Sequence, residues 1–314
     1  MQLLDADAVR ERLPMDVAVA AMREAFAALA AGEVTAPPRG FHGIDALGAD
    51  GMLATMPAHV GGATDVLATK VVSIVPDNAT RGLPTIHGLL VAFDGTTGEP
   101  LGAVDGTTVT AIRTAAVSGL ATDLLAPERV STLAILGTGV QGREHVAAVR
   151  AVRDVERVVL WNRTAARAES LAEELRRDGL DVRVAGTPAE ATAGADVVCA
   201  CTAATEPILR AADVAPGTHV NAVGAFTPSM RELATDLVAG SWLVVDTREG
   251  AFDEAGDVLL PIEEGAMGRD HVRAELPELV AGTVAPPSAG TTTVFKSVGH
   301  AVEDAVVAAR LLRS

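Results

Sequence analysis

The apolar run Val130 to Leu136 passes directly into Gly137-Thr138-Gly139-Val140-Gln141-Gly142, and that hexapeptide opens a segment with Val146, Val149 and Val152 at helical spacing. No other stretch constrains the fold as much. An isolated GxGxxG is compatible with an ordinary glycine turn, but between a buried strand and an amphipathic helix each glycine has a task. The first permits the tight turn, the second lets a pyrophosphate approach the backbone, and the third lets helix and strand pack closely. The phosphates then rest on the positive end of the helix. The sequence therefore predicts a dinucleotide-binding βαβ unit.

About twenty residues beyond the fingerprint, such units commonly carry an Asp or Glu for the ribose hydroxyls. Here the place reads Trp161-Asn162-Arg163-Thr164, with Arg167 one helical turn on. A carboxylate would repel a 2'-phosphate, whereas Asn, Arg and Thr donate hydrogen bonds to one. NADPH is expected in preference to NADH, the alternative being that Arg163 and Arg167 are solvated surface.

From Val130 onward, strand-like and helical runs alternate: Arg157 to Trp161, Val182 to Val184, Asp196 to Cys201, Thr218 to Val223 and Trp242 to Asp246 are the strand candidates. Alternation of this kind implies a parallel sheet wrapped by right-handed crossovers. Val294 to Leu312 reads as a closing helix, with Val298, Val302, Val306 and Ala309 at helical intervals. Before Val130 the grammar differs. Met15, Val19, Met22, Phe26 and Leu29 mark an amphipathic helix, and short apolar runs separated by Asp-Asn, Asp-Gly and Thr-Gly turns suggest a small, largely antiparallel sheet. An Ala-rich helix from Ala111 to Leu125 follows. With 314 residues, two domains are expected.

A charge of -16 opposes polyanion binding, so nucleic acid is not an expected partner. The first twelve residues lack the basic start and apolar core of a signal peptide, and no uninterrupted apolar stretch is long enough to span a membrane. A soluble, cytoplasmic protein is expected. Cys199 and Cys201, two apart on a strand, share a face as core residues. They cannot form a framework disulfide, and no metal site is expected at them.

In this acidic chain Lys70 is conspicuous, set among Val66, Leu67, Ala68, Val71 and Val72 with no carboxylate nearby in sequence. An unpaired ammonium in such a place calls for an anion or a cavity, unless it snorkels to the surface. Arg113, inside the Ala-rich helix, poses the same question. Arg39, after Pro37-Pro38, is uninformative alone, and His87 is either an acid/base or a hydrogen-bonded structural group. No Ser-His-Asp arrangement, HExxH or paired CxxC motif supports a hydrolase or zinc reading.

Taken together, LATKVVSIVPDNATRGLPT from Leu67, TAIRTAAVSGLA from Thr110, ILGTGVQG, VNAVGAFTPSMREL from Val220 and TVFKSVGHAVED from Thr293 resemble the ornithine cyclodeaminase/mu-crystallin family. The resemblance implies an α/β protein in which a doubly wound Rossmann sheet is inserted in a smaller α+β domain. Residues 1–122, completed by a helix over 293–314, would bind substrate and form a homodimer. Residues 123–292 would bind the nicotinamide dinucleotide.

It further implies that Arg39, Lys70 and Arg113 hold the carboxylate of an amino or imino acid, with Phe226 and Val298 beside the substrate. Cofactor contacts would fall on Thr85, Arg113, Thr114, Gly137, Thr138, Gly139, Val140, Gln141, Gly142, Asn162, Arg163, Thr164, Arg167, Thr202, Val223, Gly224, Phe226, Met230 and Ser297. The cyclodeaminases of the family place an Asp after the GG of an AVGG segment and a Glu two residues before a Met-Pro pair. Phe226 and Ala54 stand at those positions here, so ammonia loss lacks its carboxylates. GAFTPSMRE looks instead like the ketimine and pyrroline-carboxylate reductases.

The expectation is therefore NADPH-dependent reduction of the C=N bond of a small 2-imino or cyclic ketimine carboxylate, with Lys70 or a water it holds as proton donor and Arg113 as its catalytic neighbour. The alternatives are an ornithine or lysine cyclodeaminase, an alanine-type amino-acid dehydrogenase, or an NADPH-dependent small-molecule binding protein.

Overall fold

The computed structural model describes residues 1–48 and 51–313. The chain forms two compact units. An inserted unit is the single stretch Thr114–Gly299, and a composite unit combines Met1–Arg113 with the residues from His300 onward.

The inserted unit is built on a parallel sheet. Its strands lie in the order Asp181–Val184, Arg157–Trp161, Thr132–Leu136, Val197–Ala200, His219–Ala222, Thr293–Lys296, Trp242–Val245 and Val272–Glu275. Strand order reverses next to Thr132–Leu136, the switch point at which such sheets bind ligands beyond their carboxyl ends. The central strands are continuous apolar runs because helices cover both faces. Leu133 and Ile135 pack with Val146, Val149, Leu171 and Leu175 on one side. Ala134 and Leu136 pack with Val198, Val220 and Leu237 on the other. Each such Leu or Ile, buried to near zero exposure, contributes about 1.5–3 kcal/mol.

The closing helix expected from Val294 is shorter than its periodicity suggested. Thr293–Lys296 is a strand, and the helix is Ala301–Arg313. The β-branched and aromatic TVFK run is fully buried between His219–Ala222 and Trp242–Val245, where ladder bonds on both sides outweigh helical spacing. Gly299, at φ +82°, separates strand from helix. The strand Val272–Glu275 had no counterpart in the sequence reading.

In the composite unit, Pro100–Asp105, Ile86–Asp94, Val66–Ile74 and Met52–Val60 pair antiparallel in that order. Val34–Thr35 and Gly40–Gly43 lie against Met52–Val60, and Gln2–Leu4 runs parallel to Pro100–Asp105. One face carries a row of small residues: Ala54, Ala58, Ala68, Ala92 and Gly102. That row receives the helix Ala301–Arg313, and a Cβ on Gly102 would come within 2.7 Å of Leu312 Cδ2. The helix Met15–Ala30 packs on the same terminal helix. The opposite face carries exposed Leu53, Leu67 and Leu89. No helix among the described residues is long and apolar enough to cross a membrane.

Candidate functional site

In the inserted unit the fingerprint turn is shaped as its glycines require. Gly137 sits at φ +97°, and a Cβ on Gly142 would stand 1.9 Å from the Gly137 carbonyl oxygen. Neither position accepts a side chain. Gly139 differs, since nothing among the described residues lies within 4 Å of where its Cβ would be. Gly139 is also the N-cap of the helix Val140–Val152 and makes no side-chain cap bond. The first turn's N–H groups thus remain available to an anion. The buried Thr138 Oγ1 and Gln141 Oε1 have no hydrogen-bond partner among the described residues. An open, donor-rich cradle with orphaned polar atoms fits a pyrophosphate.

Asn162 is half-buried at the end of Arg157–Trp161, where its Oδ1 accepts from Thr138 N (3.3 Å) and its Nδ2 donates to the Thr164 carbonyl (3.1 Å). It ties the second strand's exit to the fingerprint turn. Arg163, Thr164 and Arg167 are exposed. Neither arginine is in an ion pair among the described residues.

Three further strand ends carry predicted contacts. Thr202, Val223 and Gly224 follow Val197–Ala200 and His219–Ala222, and they are joined by a residue the sequence reading passed over. Glu232 Oε1 accepts from Thr202 N (2.6 Å) and Thr202 Oγ1 (2.8 Å), while Oε2 accepts from Gly224 N (2.7 Å) and Ala225 N (3.3 Å). Burial, then the charge of Asp257, pushes the Glu232 carboxyl up to about 7, against the pull of Lys296 and Thr202. Ser297 and Val298 are fixed by Asp246, whose Oδ2 accepts from Ser297 Oγ (3.2 Å), Val298 N (2.7 Å) and Gly299 N (2.6 Å). Phe226 is 54% exposed, an open apolar surface rather than a core side chain. Met230 is half-buried in the same loop, and Thr114 is half-buried on the helix Gly106–Leu125.

The cations belong to the composite unit. Lys70 and Arg113 are not without carboxylates: both meet the terminal helix. Lys70 Nζ is 2.9 Å from Asp304 Oδ2, Arg113 Nη1 is 2.5 Å from Glu303 Oε2, and Arg113 Nε is 3.3 Å from Asp304 Oδ1, all on buried side chains. Burial of a charge demands a partner, and the partners lie some two hundred residues away in sequence. Lys70 reaches them because it shares the inner sheet face with Leu90, and it also donates to Thr110 Oγ1 at 3.4 Å. Burial holds the Lys70 ammonium below the ordinary lysine range, opposed by Asp304 and aided by Arg113. Burial raises Asp304, but the charges of Lys70 and Arg113 outweigh it and hold that carboxyl low. Arg39, half-buried, adds its field to Asp304. Lys70 and Arg113 therefore meet on one carboxylate, on which Arg39 acts through its charge.

His87 lies opposite Ser73 on the outward face, away from Lys70. Thr85 is half-buried before the strand Ile86–Asp94, its carbonyl accepting from Val75 N (2.8 Å). Ala54 is buried on the inner face. Glu303 and Asp304 lie within the TVFKSVGHAVED stretch, but no local pattern marks them as ion-pair partners.

The sequence pattern of the ornithine cyclodeaminase/mu-crystallin family matches residues 1–314. The chain belongs to that family. Among the ornithine cyclodeaminase/mu-crystallin relatives, Delta(1)-pyrroline-2-carboxylate reductase of Bacillus cereus is 40% identical over 247 residues, 78% of this chain and 76% of that protein. Ketimine reductase mu-crystallin of Mus musculus is 43% identical over 262 residues, 83% of this chain and 80% of its own. The solved structure of Thermococcus litoralis Delta(1)-pyrroline-2-carboxylate reductase with NADH and L-proline superposes with a TM-score of 0.93 at 34% identity. It covers 100% of this chain and 97% of that one.

Proposed function

We propose that this family member is an NADPH-dependent reductase of small cyclic ketimine or 2-imino carboxylates. The observation that carries the reading is the buried Lys70, paired with Asp304 beside Arg113 yet holding its proton less tightly than an ordinary lysine. Relatives named for pyrroline-2-carboxylate and ketimine reduction support the same chemistry.

Arg39, Lys70 and Arg113 hold the substrate carboxylate. Lys70, or a water it holds, protonates the imine nitrogen, and burial that weakens its hold on the proton favours that transfer. The ammonium is recharged from solvent. Residues 137–142, Asn162, Arg163, Thr164, Arg167, Thr202, Val223, Gly224, Phe226, Met230 and Ser297 hold the dinucleotide, with Thr85, Arg113 and Thr114 completing the set. The reduced nicotinamide, when bound, supplies the hydride that the imine carbon requires. The exposed, unpaired Arg163 and Arg167 favour NADPH over NADH, as each offers a guanidinium to a 2'-phosphate.

Phe226 and Ala54 give the reaction no carboxylate at the places where cyclodeaminases carry one, which disfavours ammonia loss. The exposed Leu53, Leu67 and Leu89 on the outward sheet face favour a homodimer that covers them, and sedimentation equilibrium tests this.

The deciding experiment follows NADPH and NADH oxidation with Δ1-pyrroline- and Δ1-piperideine-2-carboxylate, alongside ammonia release from ornithine and lysine. Imine-dependent NADPH oxidation that is lost in Lys70→Met, with NADPH affinity retained, is the expected result. Ammonia release without net cofactor oxidation points to a cyclodeaminase, and NADPH binding without turnover to a binding protein.

A further inference from the structure

Beneath the loops assigned to the cofactor lies a buried ionic network that the proposed reaction does not use. Glu232 is fully buried, and every hydrogen bond it makes through its carboxylate is accepted: Thr202 N and Oγ1 at one oxygen, Gly224 N and Ala225 N at the other. Its backbone N–H and that of Leu233 donate to Asp257 Oδ1 at 2.8 and 2.9 Å. Asp257 Oδ2 stands 3.1 Å from Lys296 Nζ, with both side chains 1% exposed. The network thus grips the ends of Val197–Ala200, His219–Ala222 and Thr293–Lys296. The first two loops already touch, because a Cβ on Gly224 would be 2.0 Å from the Thr202 carbonyl oxygen and 2.7 Å from Glu232 Oε1.

We infer that Glu232 is a positioning residue for the cofactor site: its ionised carboxylate clamps the Thr202 and Gly224-Ala225 loops in binding geometry, and protonation releases them. This inference rests on the reading of those loops as cofactor contacts. The reason is donor counting. Four donors converge on two oxygens, and a carboxylate offers acceptors at both. A protonated carboxyl must turn one oxygen into a donor, and on the Gly224-Ala225 side it faces only N–H groups. Thr202 Oγ1 alone among these partners can reverse its role, and then Thr202 N loses its charged acceptor. Burial and the facing Asp257 bring the proton within reach of physiological pH at about 7, against Lys296. Cys201 adjoins the same carboxylate and stays a neutral thiol, because burial, then Cys199 and Glu232, raise it well above the ordinary range against the pull of Lys296. On Glu232's own segment, Arg231 is turned to Glu264 at 2.6 Å and to the Leu233 carbonyl, and does not neutralise it.

The test is the dissociation constant of NADPH, read by nucleotide fluorescence on the full chain between pH 8 and pH 6. NADH serves as a second probe because it has no 2'-phosphate titrating in that range. In the wild type both constants should rise roughly tenfold as the pH falls through 7, the size expected when one charge-assisted hydrogen bond to a buried N–H is lost. Glu232→Gln should bind about tenfold more weakly at pH 8 and lose the pH dependence, with its folded state monitored by near-UV dichroism. A wild-type constant that is flat from pH 8 to pH 6 overturns the inference even if the variant does not fold. So does a folded variant with the wild-type affinity and pH curve. Failure of the wild type to bind either nucleotide overturns the cofactor reading, and with it this one.

Discussion

Removing the Asp304 carboxylate isolates the central interaction of the cation cluster. In Asp304→Asn, Lys70 loses its ion-pair partner at 2.9 Å and Arg113 loses one at 3.3 Å, on side chains 5% and 8% exposed. At an effective dielectric near 20, one pair at about 3 Å is worth roughly 5 kcal/mol before desolvation. That attraction was offsetting the cost of burying the ions, and deleting one partner of a buried pair typically costs about 3–5 kcal/mol. Glu303 still pairs with Arg113, so the larger share of the loss falls on Lys70. Lys70→Met/Asp304→Leu removes both charges and should recover most of the stability while remaining inactive, since an apolar pair of similar volume needs no partner. Urea unfolding followed by circular dichroism reads both effects as midpoint shifts. An unchanged midpoint in Asp304→Asn, or a double variant as damaged as the single one, refutes the argument that burial makes this pair obligatory.

Two buried histidines predict acid sensitivity. Burial lowers His145 and His219 to about 4, so both fold neutral. Because their folded pKa is depressed, their stability contribution is complete above pH 6.5 and is lost as the pH falls toward 4. The loss is up to about 3 kcal/mol each, from about 1.4 kcal/mol per pH unit. A urea midpoint that stays constant between pH 7 and pH 4.5 would contradict this. Gly139→Ala and Gly142→Ala should separate binding from folding. The first meets open space and should weaken NADPH binding about tenfold or more without lowering the melting temperature. The second drives a methyl into the Gly137 carbonyl and should destabilise by about 1–3 kcal/mol. Arg163→Ala/Arg167→Ala should raise the NADPH dissociation constant about tenfold per charge-assisted bond lost and leave NADH unchanged in fluorescence titration.

What was legible in the sequence follows the range of the interactions. The fingerprint turn, the strand before it and the helix after it are encoded within about twenty residues, and periodicity with glycine chemistry suffices. TVFK reads as helix in the sequence because four residues carry too little period to separate a buried strand from the start of a helix. Its two sheet neighbours decide, and they come from His219–Ala222 and Trp242–Val245. Lys70 is conspicuous in the sequence because an ammonium among apolar residues needs a counter-charge, but no sequence rule links it to Asp304. Glu232, Asp257 and Lys296 are not legible in the sequence because each looks like an ordinary surface charge until three strand ends bring them together.

Because the composite unit draws on both sides of the insertion, its assembly is ordered in time. On a ribosome, Arg113 emerges 190 residues ahead of Glu303, which at usual elongation rates is roughly 10–40 s. The dinucleotide fold of 114–299 is fully translated before the basic groups of the earlier segment receive their counter-charges. A nascent chain halted at Gly299 would carry its nucleotide cradle but leave Lys70 and Arg113 seeking other anions, an opening for chaperones or for degradation.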